Sequence, residues 1–325
     1  MTRNQIFQYG WCLALMCPLA IFALRSEACA QDAKGQPAAG KTVRLLTIGN
    51  SFSRNATRYL DKLAAAGGQT LIHRPIIVGG ASMELHATKA LKHQENADDP
   101  AGKYADGSSL QQRLAEQPWD IVTIQQASRL SPHAETFRPF AAQLQEIVRA
   151  HAPQARLMIH ETWAYRVDDP WFVQPSKDSE NPATQDEMYH QLQNSYRTIA
   201  GMLKAGIIPV GDAFHLATQD QKWSYRPDTK FRFDEARFPD LPDQTHSLNV
   251  GWRWVTTKGK KTLSIDGHHA NAAGEYLGGC VFYEVLFQDD VRKNTFVPEN
   301  IAPQFAAFLR DTAHQAVQES AKRPE

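Results

Sequence analysis

The stretch Val43-Arg44-Leu45-Leu46-Thr47-Ile48-Gly49-Asn50-Ser51 decides the fold. It is a short apolar run that ends abruptly in glycine and small polar residues, the pattern of a buried strand delivering a loop. A helix over about Ala56–Ala66 follows, and the same rhythm repeats along the chain. Further strands are read at the segment ending in Ile76–Val78, at Ile121–Ile124 after Trp119-Asp120, at Leu157–Ile159 and at Ile207–Val210. Phe137, Phe140, Ala141, Leu144, Ile147 and Val148 recur at helical spacing, and Met188–Leu203, Ala272–Phe287 and a segment near 301–320 read as helices. Short continuous apolar strands alternating with helices predict an α/β protein whose central parallel sheet, of about five strands, is covered on both faces.

Two stretches break the rhythm, 164–186 and 216–265, both rich in Pro, Asp and aromatic residues and too long for plain connectors. Inside the second, 252–256 and 261–265 flank Lys258-Gly259-Lys260, which predicts a β-hairpin. At the other end, Gly10–Leu24 is an apolar run and Ala28-Cys29-Ala30 a small-x-small site, so residues 1–30 read as a secretory signal peptide, with an N-terminal membrane anchor as the alternative. Residues 31–41 read as a polar linker and 42–325 as one domain. Export to the periplasm or the extracellular space is the expectation, with no stable membrane insertion once the leader is cut. Cys12, Cys17 and Cys29 fall within the leader, and Cys280, in an apolar stretch, is left without an intrachain partner.

The chain has 325 residues, of which 42% are hydrophobic, and its 35 Lys and Arg balance 35 Asp and Glu. Such a chain has enough apolar material for one sizeable core, and no basic field with which to hold nucleic acid.

In a parallel sheet, ligands bind at the carboxyl ends of the strands. There the sequence places Gly49-Asn50-Ser51, Gly79-Gly80-Ala81-Ser82, Gln125-Gln126, His160-Glu161-Thr162-Trp163 and Gly211-Asp212. A serine after a strand fits a helix cap as well as it fits a nucleophile. The segment Asp266-Gly267-His268-His269 shifts that balance, because an Asp and a His three apart in a turn let the carboxylate orient one imidazole nitrogen while the other faces a serine. That spacing selects His269 and leaves His268 as a neighbour at the entrance. A zinc site would want a further close-set His or Cys group, and none stands out. After His160-Glu161, position 164 is Ala where a zinc helix would carry its second histidine.

Ile48-Gly49-Asn50-Ser51-Phe52-Ser53 resembles the first block of the SGNH/GDSL hydrolase superfamily, with Asn50 where many members have Asp, and Asp266-Gly267-His268-His269 resembles its last block. Gly79–His86, Trp119–Ser128, Thr162–Tyr165 and Ile208–Phe214 resemble the intervening pieces of one branch, in order, from about residue 43 to 288. The resemblance implies a flavodoxin-like three-layer α/β/α sandwich and ester hydrolysis through a covalent acyl-enzyme, without cofactor or metal. It implies Ser51 as nucleophile, His269 as general base and Asp266 as its orienting acid, with the backbone N–H groups of Ser51 and Gly80 in the oxyanion hole. The usual asparagine donor is missing. A glutamine amide donates equally well, and Gln126 is expected in that role rather than Gln125.

The expected substrate is a short acyl group, acetyl first, on a carbohydrate, with lipid or thioester hydrolysis, acyl transfer and a non-catalytic glycan-binding module as alternatives. Flat aromatic faces suit sugar rings, which makes Trp163, Trp252 and Trp254 candidate substrate contacts along with His268.

Overall fold

The computed structural model describes residues 40–173 and 181–323. The expected leader lies outside the described residues, as does most of the linker. No helix among the described residues is long and apolar enough to cross a membrane.

Five parallel strands form the main sheet: β1 (Thr42–Gly49), β2 (Thr70–Ile77), β3 (Ile121–Ile124), β4 (Arg156–His160) and β5 (Gly206–Ile208). Their order is β2-β1-β3-β4-β5, the flavodoxin-like order expected. Leu45, Leu46, Ile48, Val122, Ile124 and Ile159 are all buried, because helices cover both faces.

The helices are α1 (Ser51–Ala56), α2 (Leu60–Ala66), α3 (Met83–Glu95), α4 (Leu110–Ala115), α5 (Phe140–His151), α6 (Gln185–Leu203), α7 (Val210–Gln219), α8 (Ala272–Phe287) and α9 (Pro303–Lys322). Helix α5 packs against α3, α4 and α6, while α8 packs against α1, α2, α7 and α9, which gives the two outer layers. Helix α8 is apolar all round and runs through the centre of its layer, with Leu277, Cys280, Val281 and Phe282 fully buried.

The single helix expected over 56–66 is broken in two. The Thr57 hydroxyl donates to the Ser53 carbonyl at 2.8 Å, competing with the backbone for that acceptor, and the chain turns before α2 begins. The fifth strand stops at Ile208 rather than Val210, since Pro209 has no N–H for a ladder and instead leads into α7. The predicted hairpin is present as β6 (Asn249–Thr257) and β7 (Lys260–Ala270), paired antiparallel with Trp252 opposite Ile265 and Gly251 opposite Asp266. Of the two predicted insertions, the first holds a short turn of 3-10 helix and the start of α6 among its described residues, and the second runs irregularly from the end of α7 to β6.

Candidate active site

Strand order reverses between β1 and β3, and the site lies at the carboxyl end of β1. Asn50, not Ser51, is the cap of α1. Its side-chain oxygen accepts the Phe52 N–H at 2.9 Å, while its amide donates to the Ala81 carbonyl at 2.9 Å. One side chain therefore closes the helix end and ties the serine loop to the Gly79-Gly80-Ala81 loop. The Ser51 hydroxyl is left with no capping duty.

That hydroxyl lies 2.8 Å from His269 Nε2. His269 Nδ1 lies 3.1 Å from both Asp266 oxygens, and the His269 backbone N–H donates to Asp266 Oδ1 at 3.1 Å. Burial alone would raise the Asp266 carboxyl, but the hydrogen bonds from His269 and the neighbouring imidazoles outweigh it and hold the group well below the usual carboxylate range. The C-terminal end of β7 makes this possible. Gly267 leaves room for the Asp169 carboxylate, which a Cβ would overlap, and its carbonyl accepts the Arg166 N–H at 2.8 Å. Asp266, His268 and His269 bring metal-ligand atoms within 4.8 Å of one another, yet both ring nitrogens of His269 are already engaged, one by Asp266 and one by Ser51.

His268 lies beside the pair. Its Nδ1 is 3.5 Å from Asp266 Oδ1, its ring packs against Tyr165, and burial lowers its pKa. Gly80 is exposed, with φ of +65° and open space where a side chain would project. A residue with a Cβ is strained at that φ, so glycine is required to turn the loop past Asn50.

Three expectations are corrected. Gln126 is fully buried and its amide is committed elsewhere: Nε2 donates to the Thr136 carbonyl at 2.8 Å, and Oε1 accepts from Met83 and Ala127. Gln125 is no substitute, for its amide donates to the Gln126 carbonyl and its oxygen accepts the Ser53 hydroxyl. Trp163 is not a surface platform but core, stacked on Phe214 at 4.5 Å and packed at a tilt against Phe52 at 4.4 Å, with its N–H donated to the His268 carbonyl at 2.9 Å. Trp252 and Trp254 do share one face of the hairpin, but Asp266 is on the other. Their rings pack on Phe233 and Phe238 of the second insertion, and their N–H groups donate to Asp168 and to the Asp240 carbonyl.

The sequence reading missed Asn50 as the tether, although an Asn before a helix is a recognisable cap signal. It also missed Arg253, whose guanidinium lies 3.7 Å from Asp266; the hairpin register would have placed it there, since alternation puts 253 and 266 on one face.

A parallel flavodoxin-like sheet with a serine at the end of β1, hydrogen-bonded in sequence to a histidine and an aspartate from β7, defines the class of protein. The family follows from the sequence: residues 44–231 match the domain of unknown function DUF4886, and the chain belongs to that family. A DUF4886 family protein from Bacteroides uniformis has the same fold, with 24% identity over 87% of this chain and 98% of its own, and a TM-score of 0.65. A candidate SGNH hydrolase from Slackia heliotrinireducens (20% identity, 75% of this chain and 98% of its own, TM-score 0.46) and the carbohydrate acetylesterase Est24 from Sinorhizobium meliloti (16%, 52% and 85%, TM-score 0.33) are fainter likenesses, too slight to argue from. No curated protein matches the chain.

Proposed function

We propose that the protein is an exported serine esterase of the SGNH type that removes short acyl groups, acetyl foremost, from carbohydrates. The observation that carries this reading is the continuous relay Ser51 Oγ–His269 Nε2 and His269 Nδ1–Asp266. In the reaction, Ser51 Oγ attacks the ester carbonyl while His269 Nε2 takes its proton, and Asp266 stabilises the imidazolium that forms. The backbone N–H groups of Ser51 and Gly80 face the developing oxyanion. His269 then protonates the departing alcohol, and water enters by the same route to release the acid. Neither Gln125 nor Gln126 is free to serve as a third donor.

Trp163 is core and Trp252 and Trp254 face away from Asp266, so none of the three offers a sugar platform at the serine. What supports a hydroxyl-rich alcohol is the rim, where the exposed Arg253 and the half-buried His268 stand beside Asp266. The exposed large apolar side chains among the described residues (Val167, Val173, Met202, Phe233, Phe238 and Leu241) lie outside the three segments that carry the serine, Gly80 and the Asp–His pair. A lipid ester would want them there.

Ser51→Ala and His269→Ala should each lower p-nitrophenyl acetate hydrolysis by roughly 10⁴-fold or more without changing the melting temperature greatly. The same variants should abolish acetate release from acetylated polysaccharides, and a chelator should leave the wild-type rate unchanged. Full activity in Ser51→Ala, or a rate lost to chelator and restored by metal, would refute the mechanism.

A further inference from the structure

We propose that a cavity beside Trp223, separate from the serine site, binds a small ring-bearing carboxylate: a uronic acid or an aromatic acid. The cavity has a volume of about 170 Å³ and lies between the start of the first insertion, helix α7 and the second insertion. A cavity of about 150 Å³ is enough for one benzene-sized ring, so a single six-membered ring is the size of occupant that fits. Phe214, Trp223 and Tyr225 supply flat or edge-on aromatic walls.

Two polar atoms in this lining have no partner. Ser224 is 8% exposed and Asn249 4% exposed, yet neither Ser224 Oγ nor Asn249 Nδ2 makes a hydrogen bond. Buried polar groups are nearly always paired, and two orphans lining one cavity point to an occupant that supplies acceptors. The charge of the lining says which kind. Among the described residues no Asp or Glu lines the cavity, whereas Arg166 and Arg226 do. Arg166 is already held by Asp168, Gln244 and Ser247. Arg226 is exposed at the rim and pairs with no carboxylate among the described residues. An unengaged guanidinium fork together with two buried hydrogen-bonding groups matches a planar carboxylate on a ring.

The cavity is not the acyl site. None of Ser51, Asp266 and His269 lines it. Trp163 touches both sides, stacked on Phe214 of the cavity wall and in tilted contact with Phe52, the residue after Ser51. The proposal therefore goes beyond the esterase reading and does not depend on it.

The test is calorimetric titration of the whole protein with glucuronate and benzoate, beside their neutral counterparts glucose and benzyl alcohol. At least one acid should bind about tenfold or more tightly than its neutral counterpart, which also names the source of the carboxylate. Arg226→Ala should remove that preference and Ser224→Ala should weaken binding severalfold, with the melting temperature and p-nitrophenyl acetate turnover of Arg226→Ala unchanged. Arg226 is exposed, so its variant tests the site without risk to the core. Three results would each overturn the proposal: neither acid binding, an acid binding no better than its neutral counterpart, or undiminished acid affinity in Arg226→Ala.

Discussion

At the scale of single residues, the serine is available because its neighbour does the structural work. Asn50 closes α1 and tethers the glycine loop, so Ser51 Oγ has His269 Nε2 as its partner. Asp266 then sets the tautomer, holding the proton on His269 Nδ1 so that Nε2 can accept from the hydroxyl. Asp266→Asn tests this directly. An amide of the same shape offers its N–H to Nδ1, fixes the wrong tautomer, and should lower kcat on p-nitrophenyl acetate by about 10⁴-fold while the protein stays folded. Retention of a tenth or more of the wild-type rate would mean that Asp266 is an ordinary structural carboxylate. Arg253 and His268 also face that carboxylate, so its charge is shared among three basic side chains.

At the scale of elements, the parts of the site written in local sequence were legible. Gly49-Asn50-Ser51 and Asp266-Gly267-His268-His269 are each a run of three or four adjacent residues, where spacing limits what can meet. The errors fall just past strand ends. Gln125 and Gln126 follow β3, which ends at Ile124, so strand alternation no longer governs which way either side chain points. Trp163 likewise follows β4, and a tryptophan there reads the same in sequence whether it faces solvent or packs against two rings. The hairpin was legible in position, and alternation correctly gave Trp252 and Trp254 one face; which face pointed at Asp266 depended on a register with a bulge between Asn249 and Gly251. Because both rings pack on the insertion, Trp252→Ala combined with Trp254→Ala should lower the melting temperature by several degrees. Turnover of p-nitrophenyl acetate and of an acetylated oligosaccharide should then change by the same factor. A selective loss on the oligosaccharide would restore the tryptophans as substrate contacts.

At the scale of the whole molecule, the sheet carries a charge cost behind the site. Glu161 is fully buried after β4; one oxygen has no partner and the other accepts the Asp212 N–H at 3.2 Å. Burial first, and then the charge of Asp212, push its carboxyl well above the ordinary range, against the pull of Arg197 and Arg323. The folded state thus keeps a proton that the unfolded chain gives up near pH 4.3, about the usual glutamate value. This contribution to stability is complete below that pH and is lost as the pH rises toward the folded-state pKa. Glu161→Gln, neutral throughout, should melt higher than wild type at about pH 8 and show a flatter dependence of melting temperature on pH above about pH 5. Equal slopes in the two proteins would show that Glu161 is ionised in the fold.

Helix α8 encloses Cys280 completely, and burial pushes its thiol far above the ordinary cysteine range. In a chain beginning at residue 31 this is the sole sulfhydryl, and an alkylating reagent reaches it only when α8 parts from the sheet and from α1, α2, α7 and α9 together. Its rate of modification therefore counts global openings of the core and ignores fraying of the insertions, so one ordinary buried residue doubles as a stopwatch for the lifetime of the folded state.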